Sequence, residues 1–466
     1  MNVDEFRRHG HAVVDLLAGY LDHLPHNPPW TPVPPDRRRS LAGQQLPASG
    51  QPFEEVLRFM ADEVLPYPFG NGHPRFFAWG NSPPALEGVL ADLVAAAMNP
   101  SCAGGDHAAT YLERCATRWV AELVGYPGDG VLVSGGADGA LTALAAARHR
   151  AAARDGWDDL VDGITSDRAR RLRLYASTET HSCQRKAARL LGLGDAGVRL
   201  VPVDRAGRLD VESLVDAIRD DRATGLHPFC VVANAGTVST GAVDPLAAIA
   251  DVCEREQLWF HVDGSLGGFG ILDERPRHLF HGLERADSLV LDPHKWLSVP
   301  VDCAAVLVRD LDDLRDTFSL VPPYLRRAAG EDPWYSEYVY DQTRPFRALK
   351  LWATLAGVGR DGIATRITRN IDQAVRLADQ IERSDDLELV AEPTLNVVAF
   401  RHTGGDDVNS AIPGVIQAAG AIYVRGTVVH GAEALRACFM HHATTADDVD
   451  HIVPAVLRAA CEVMGG

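Results

Sequence analysis

Short apolar runs alternate with helical patterns from about residue 83 onward, and this alternation constrains the fold more than any other feature of the chain. The runs are apolar throughout, as in strands that are buried on both faces. Such strands separated by helices predict an α/β fold, with a largely parallel sheet covered by helices on both sides. The predicted strands are 131–133, 172–175, 229–233, 258–262, 288–291 and 304–308, and the predicted helices include 141–150, 211–219 and 245–256.

The first 82 residues have a different pattern. Two helices are predicted, at 3–24 and 53–64, and the proline-rich stretch between them is expected to be extended. Two helices and such an arm make a poor independent core. Residues 1–82 are therefore expected to form an N-terminal helical segment that packs against the rest of the protein or against a second copy.

The remaining chain divides into two predicted domains. Residues 83–355 form the large domain, which contains the parallel sheet. Residues 356–466 form a small C-terminal α+β domain, because strand patterns at 387–400 and 422–429 precede a helical pattern at 446–463.

Composition and charge exclude several kinds of partner. The net charge of −18 argues against binding to nucleic acid or to an anionic membrane surface, since both require a basic face. No apolar run reaches the roughly 18 residues needed to span a bilayer, and the N-terminus lacks the apolar core of a signal peptide. The eight cysteines form no Cys-x-x-Cys pair and no zinc-like cluster with histidine, so no metal site is predicted. A cytoplasmic location is expected.

Lys295 follows the predicted strand 288–291 and is one of only three lysines in the chain. Arginine cannot readily lose a proton to become a nucleophile, so a lysine next to His294 is a candidate Schiff-base amine. Asp263 follows the predicted strand 258–262. A lysine and a carboxylate at two strand ends are what pyridoxal phosphate (PLP) requires, because the carboxylate keeps the pyridine nitrogen protonated and the ring acts as an electron sink. The alternative is a surface lysine and an unrelated aspartate.

Three other strand ends carry candidate groups. The turn 134–139 is rich in glycine and leads into a helix, so its backbone N–H groups are suited to hold a phosphate, although such turns are common. His181 is able to stack on a planar ring and to transfer protons, or it is an ordinary loop histidine. Thr237 is a candidate hydrogen-bond donor to a cofactor or substrate, or a turn residue. In parallel sheets all these strand ends meet at one edge, where ligands bind.

Several short motifs together occur in one known family. They are Glu5-Phe-Arg-Arg8, His73-Pro-Arg-Phe-Phe77, His181-Ser182, Gly236-Thr237 with Thr240-Gly241, His261-Val-Asp263, Asp292-Pro-His-Lys-Trp296 and Thr444-Thr445. Through them the chain resembles, nearly end to end, the group II PLP-dependent amino-acid decarboxylases, such as the aromatic-L-amino-acid, histidine, tyrosine and glutamate decarboxylases. The Asp-Pro-His-Lys-Trp motif is highly specific.

The resemblance implies fold type I, the aspartate aminotransferase-like fold, with a mostly parallel seven-stranded central sheet. It also implies PLP as the cofactor, α-decarboxylation of an L-amino acid to the amine and carbon dioxide, and a homodimer with active sites at the subunit interface. Lys295 would bind the cofactor covalently, Asp263 would contact its ring nitrogen and His181 would stack on the ring. The other implied cofactor-binding residues are Gly135, Gly136, Ala137, Thr237, Asp292 and His294.

The resemblance also implies a mobile loop at 320–345 that closes over the neighbouring subunit's site. In the family a loop tyrosine returns a proton to the substrate carbon after carbon dioxide leaves. Counting back from Arg347 assigns this role to Tyr335, with Tyr338 and Tyr340 as alternatives. Packing in a dimer interface is the other interpretation of these aromatic residues.

The chain departs from the aromatic decarboxylases around the site. Gly135 and Ala137 replace serines that bind the phosphate, so backbone donors are expected to do more of the work. Gly264 and Leu266 stand where relatives often have alanine and tyrosine. Gly80 stands where a large side chain is removed and Asn81 adds a polar one, so a roomier or more polar pocket is expected, which disfavours a simple aromatic substrate. The residues assigned to this pocket are His73, Trp79, Gly80, Asn81, Ser82 and Arg347.

Two other functions remain open at this point. Some family members are aldehyde synthases, in which oxygen intercepts the reaction after carbon dioxide leaves, and the unusual pocket leaves room for this outcome on a large amino-acid conjugate. A non-catalytic binding module is a weaker alternative, since Lys295, Asp263 and His181 are all present.

Overall fold

A seven-stranded sheet forms the centre of the computed structural model, which describes residues 1–164, 167–321 and 334–465. The strand order is β1-β7-β6-β5-β4-β2-β3, and β7 alone runs antiparallel to its neighbours. The predicted α/β fold with a mostly parallel sheet is confirmed. The strands are β1 (Asp129–Val133), β2 (Leu172–Ser177), β3 (Val198–Val201), β4 (His227–Asn234), β5 (Trp259–Asp263), β6 (Ser288–Leu291) and β7 (Ala304–Val308).

Both faces of this sheet are buried under helices. Alternate residues of β4 belong to different cores: Val231 packs in one hydrophobic cluster and Val232 in the other. This explains why the strands read as continuous apolar runs. The α-helices of the described chain are α1 (Val3–His23), α2 (Pro35–Ala42), α3 (Phe53–Phe59), α4 (Leu86–Met98), α5 (Ala108–Val124), α6 (Gly136–Arg154), α7 (Asp159–Asp162), α8 (Asp167–Arg171), α9 (Ser182–Leu190), α10 (Val211–Ala223), α11 (Leu246–Glu256), α12 (Leu311–Phe318), α13 (Arg347–Glu382), α14 (Asp406–Ala419), α15 (Ala446–Asp450) and α16 (Ile452–Gly465).

The C-terminal part contains a second, four-stranded antiparallel sheet in the order β10-β11-β9-β8. Its strands are β8 (Leu387–Leu389), β9 (Val397–His402), β10 (Arg425–Val429) and β11 (Ala432–Cys438). The small α+β unit agrees with the sequence prediction, although β11 was not predicted. The predicted domain boundary at 355/356 falls inside α13, shortly before that helix breaks at Gly359, where φ is +71°.

The N-terminal segment corrects one expectation. The proline-rich stretch is not extended throughout, because α2 begins within it at Pro35. Proline is well tolerated at the first helical position, where its missing N–H would have no partner. The end of the segment packs on the small domain: the Phe77 N–H donates to the Tyr423 carbonyl at 2.8 Å. None of the helices in the described ranges has the length and apolar character that crossing a membrane requires.

Candidate active site

A cavity of about 300 Å³ lies at the carboxyl edge of the central sheet. Residues that follow five strands, β1, β2, β4, β5 and β6, converge on it, as expected for a parallel sheet. The N-terminal segment and strand β11 close its other sides. The lining residues are Trp79, Gly80, Asn81, Gly136, Ala137, His181, Cys183, Asn234, Gly236, Val238, Asp263, Ser265, Leu266, Asp292, Lys295 and Arg436.

Lys295 reaches the cavity from the turn after β6, where its Nζ lies 2.9 Å from Oδ2 of Asp292. Burial works against the charged amine, but the charges of Asp292 and Asp263 outweigh it and raise the pKa of Lys295 above its ordinary value. The lysine is therefore held as an ammonium by a buried carboxylate. Asp292 is positioned to take the proton that the amine must lose before it can form a covalent bond.

Asp263 is the last residue of β5 and is 8% exposed. One carboxylate oxygen accepts from the Ser265 N–H at 3.1 Å, and the other accepts from Nε2 of Gln184 at 3.1 Å. Burial opposes the charge on Asp263, but Ser265 and the Lys295 ammonium outweigh it and lower the pKa of Asp263 below its ordinary value. The group is thus a carboxylate, as required to hold a proton on a ring nitrogen. Gln184 was missed in the sequence, although it follows His181 by one helical turn.

His181 is the N-cap residue of α9, and its Nδ1 accepts from the Cys183 N–H at 3.3 Å. Burial lowers the pKa of His181, and the nearby Asp263 offsets this only in part. The imidazole is therefore neutral at neutral pH, with its ring proton on Nε2. A neutral, flat ring at this position is suited to stacking on a planar cofactor.

The glycine-rich turn after β1 provides a cradle for an anion. Helix α6 begins at Gly136, and a Cβ atom there would lie 2.6 Å from Oγ of Ser265 and 3.1 Å from Oδ2 of Asp292. No side chain fits at this position, so the backbone at the start of a 19-residue helix stays open to the cavity. Free N–H groups and the helix dipole favour a phosphate here. Ala137 also lines the cavity, whereas Gly135, the N-cap residue of α6, is not among the described lining residues.

Two residues assigned to the cofactor have other partners in the structure. The Thr237 hydroxyl lies 3.0 Å from the Thr240 hydroxyl and accepts from the Ala242 N–H at 3.0 Å, which stabilises the turn after β4. Asn234, Gly236 and Val238 from the same segment line the cavity instead. His294 uses Nδ1 to contact the Cys303 carbonyl at 2.6 Å, and its Nε2 lies 3.7 Å from Asp292.

Of the six residues assigned to the substrate pocket, three line the cavity and three have other partners. Trp79, Gly80 and Asn81 line the cavity. The others are engaged elsewhere: Ser82 donates to the His294 carbonyl at 3.3 Å, His73 is buried and accepts from the Arg75 N–H at 3.0 Å, and Arg347 pairs with Asp302 at 2.9 Å.

Tyr335 is not among the residues that line this cavity. It begins a short 3₁₀-helix, is 7% exposed and packs against Arg344, whose guanidinium carbon lies 5.1 Å from the ring centre. Arg344 is fixed in turn by a buried ion pair with Glu113. Tyr340 is 60% exposed. The part of the predicted loop at 322–333, including Tyr324, lies outside the described residues.

Arg436 was missed altogether. It lies on β11, lines the cavity and is 5% exposed, and its Nε has no hydrogen-bond partner among the described residues. An unpaired buried guanidinium is costly unless a ligand satisfies it. The available signal was an arginine within the apolar run Ala434–Cys438, which reads Ala-Leu-Arg-Ala-Cys.

A partly buried lysine, a strand-end carboxylate, a neutral imidazole and a phosphate cradle at the carboxyl edge of such a sheet define a PLP-dependent enzyme of fold type I. Comparison with known proteins agrees. The sequence model of the pyridoxal-dependent decarboxylase conserved domain matches residues 35–403. The chain therefore belongs to the pyridoxal-dependent decarboxylase family, and it is a PLP-dependent amino-acid decarboxylase. The predicted family, cofactor and class of reaction are confirmed.

Individual relatives extend this likeness to the whole chain. The aromatic-L-amino-acid decarboxylase of Bacillus atrophaeus is 31% identical over 483 aligned residues, which cover 99% of this chain and 97% of the relative. The crystal structure of Oryza sativa TDC with PLP and tryptamine superposes with a TM-score of 0.93 at 29% identity, covering 100% and 99% of the two chains. The phenylacetaldehyde synthase of Petunia hybrida is 27% identical, covering 94% and 90%.

Proposed function

We propose that the cavity at the sheet edge is the active site, where the α-carboxyl group of an L-amino acid is removed to leave the amine. The observation that carries this proposal is the convergence of Lys295, held as an ammonium, and Asp263, held as a carboxylate, on one cavity. When bound, PLP supplies the electron sink for the bond that breaks at the substrate Cα.

The proposed roles follow from the contacts of each side chain. Lys295 would hold the cofactor covalently, and the Asp292 carboxylate beside its Nζ would position the amine. Asp263 would keep the ring nitrogen protonated, and His181 would stack on the ring. The open backbone at Gly136 and Ala137 would hold the phosphate.

Arg436 is proposed to hold the α-carboxylate of the substrate. Its side chain is buried at the cavity on the small-domain side, and its Nε has no hydrogen-bond partner among the described residues. A guanidinium matches a carboxylate in two parallel hydrogen bonds and so fixes its orientation. Decarboxylation depends on that orientation, because the breaking bond must lie perpendicular to the cofactor ring.

Replacing Arg436 with alanine is expected to lower kcat/KM by roughly 30- to 5 × 10³-fold, since truncating one partner of a buried charge pair costs about 2–5 kcal/mol. Steady-state kinetics measures this loss. The amine product, which lacks the carboxylate, is the matched control ligand: its inhibition constant should stay unchanged in the variant. Equal weakening of amine and amino acid would contradict a contact with the carboxylate.

We infer that the substrate carries an aromatic side chain. Trp79, Val238 and Leu266 provide an apolar wall, and Leu266 reaches across to Gly80, where an added Cβ would lie 2.7 Å from its Cδ1. The space that glycine leaves at position 80 is thus filled by Leu266, which weakens the expectation of a roomier pocket. The names of the similar decarboxylases support the same substrate class.

A panel of L-amino acids tests the activity and the substrate class together. Incubation with the purified holoenzyme should release carbon dioxide and amine in equal amounts, fastest with an aromatic amino acid, without oxygen uptake. Aldehyde and hydrogen peroxide in place of amine would show the aldehyde-synthase reaction instead. A faster reaction with acidic or aliphatic amino acids would overturn the aromatic assignment.

The group that returns a proton to Cα is proposed to be a tyrosine of the segment 334–345. Tyr335, the residue indicated by the sequence, is buried under Arg344, which disfavours it in this conformation. Tyr340 is exposed and free to approach a neighbouring site, which supports it over Tyr335.

A homodimer is proposed as the working form. Helix α4 exposes a row of large apolar side chains, Leu86, Leu90, Leu93, Val94 and Met98, of the kind that marks a protein interface. Sedimentation equilibrium at micromolar concentration tests this assembly, and a monomer would contradict it.

A further inference from the structure

The Ser265 hydroxyl is a buried donor with no assigned task. Ser265 follows Asp263 by two residues, lines the cavity and is 7% exposed. Its Oγ has no hydrogen-bond partner among the described residues. Since buried hydroxyls nearly always have a partner, an unpaired one that faces a ligand cavity points to a ligand.

The hydroxyl lies against the first turn of α6. A Cβ atom at Gly136 would lie 2.6 Å from Oγ of Ser265, which puts this oxygen directly beside the backbone that opens the helix. The first N–H groups of a helix have no partner within the helix. Ser265 Oγ and these N–H groups therefore face the same small volume.

Other side chains at this turn do not offer a free hydroxyl. The Ser134 hydroxyl donates to Oδ2 of Asp138 at 3.0 Å. Gly135, Gly136 and Ala137 have no side-chain donor. Asp292 accepts from Lys295 and, as a carboxylate, has no proton to donate to an anion. Among the described residues at this turn, Ser265 is thus the one whose side-chain hydroxyl is unpaired.

We infer that the Ser265 hydroxyl donates a hydrogen bond to the phosphate group of PLP. It takes the place of the serine hydroxyls that the aromatic decarboxylases have at the positions of Gly135 and Ala137. In this chain the side-chain hydrogen bond to the phosphate would therefore come from the turn after β5 and not from the turn between β1 and α6. This inference rests on the PLP assignment and adds one side-chain donor to the backbone donors expected at the cradle.

The alternative role for Ser265 is to position Asp263, which would contact the ring nitrogen of the cofactor. The hydroxyl is near the Asp263 carboxylate and helps to lower the pKa of that group, although it makes no hydrogen bond of ordinary geometry to it. In that role Ser265 would position Asp263 and act on the ring nitrogen. If Ser265 contacts the phosphate, losing its hydroxyl weakens the binding of PLP alone. If Ser265 positions Asp263, the loss weakens the binding of PLP and of a cofactor without phosphate equally.

Titration of the apoenzyme with PLP and with pyridoxal, which lacks the phosphate, separates the two roles. Binding is followed by quenching of tryptophan fluorescence. In Ser265→Ala, the Kd for PLP should rise about 10- to 100-fold, the equivalent of one hydrogen bond to a charged group, and the Kd for pyridoxal should stay within about twofold of wild type. Ser265→Thr, which keeps the hydroxyl, should restore PLP affinity.

Each other outcome has a distinct meaning. Equal losses for PLP and pyridoxal would overturn the phosphate contact in favour of a role at Asp263. An unchanged Kd for PLP would overturn both roles. If wild-type apoenzyme failed to bind PLP at all, the cofactor assignment itself would fail, and the thermal unfolding of each apo variant shows whether a loss reflects misfolding.

Discussion

Replacing Lys295 with alanine is expected to abolish covalent attachment of PLP and to reduce decarboxylation by on the order of 10³-fold or more. The change removes the cofactor's anchor and a positioned proton-transfer group, and the latter alone is typically worth about 10²–10⁴ in rate. Visible absorbance of the purified protein measures the attachment, and release of carbon dioxide measures the rate. The variant should bind PLP reversibly and be colourless after gel filtration.

Lys186→Ala is the matched control for this variant. Lys186 is also one of the three lysines, but it lies exposed on α9. This variant should keep both the absorbance and the activity. If Lys295→Ala retained the visible absorbance, or if Lys186→Ala lost it, the assignment of the anchor would be wrong.

Asp263→Asn is expected to lower kcat by about 10²–10³-fold, the range found when one preorganised electrostatic group is removed. The amide keeps the shape of the side chain, but its single oxygen can accept from only one of Gln184 and Ser265, and it carries no charge to hold a proton on the ring nitrogen. Two hydrogen bonds and the charge of Lys295 stabilise the buried Asp263 carboxylate, so the folded protein maintains this negative charge.

The visible absorbance of the Asp263→Asn protein is the control for its loss of kcat. Attachment of PLP to Lys295 should be normal in Asp263→Asn, so the visible absorbance stays while kcat falls. Asp263→Glu, which keeps the charge on a longer side chain, should retain more activity than the amide. Wild-type kcat in Asp263→Asn would mean that the reaction does not depend on the ring-nitrogen charge.

The sequence predicted the parts of the molecule that depend on local pattern. Strands β1, β2, β4, β5, β6 and β7 are continuous apolar runs because both faces of the sheet are buried. Lys295 and Asp263 were found since each directly follows such a strand, and the carboxyl ends of parallel strands converge.

The residues that sequence reasoning missed depend on contacts between distant segments. Arg436 reaches the cavity from β11, a strand of the small domain that was not predicted. The pocket at Gly80 looked enlarged because the sequence shows a missing side chain but not Leu266, which fills the space from another segment. Likewise, the spacing that indicated Tyr335 carries no information about Arg344, which buries it.

The most direct measurement is to locate the cofactor on the chain. Borohydride reduction of the holoenzyme fixes bound PLP to its amine, and digestion followed by mass spectrometry identifies the modified lysine among only three: Lys186, Lys295 and Lys350. We expect the added mass on Lys295 alone. Modification of Lys186 or Lys350 with Lys295 left unmodified would contradict the proposed active site.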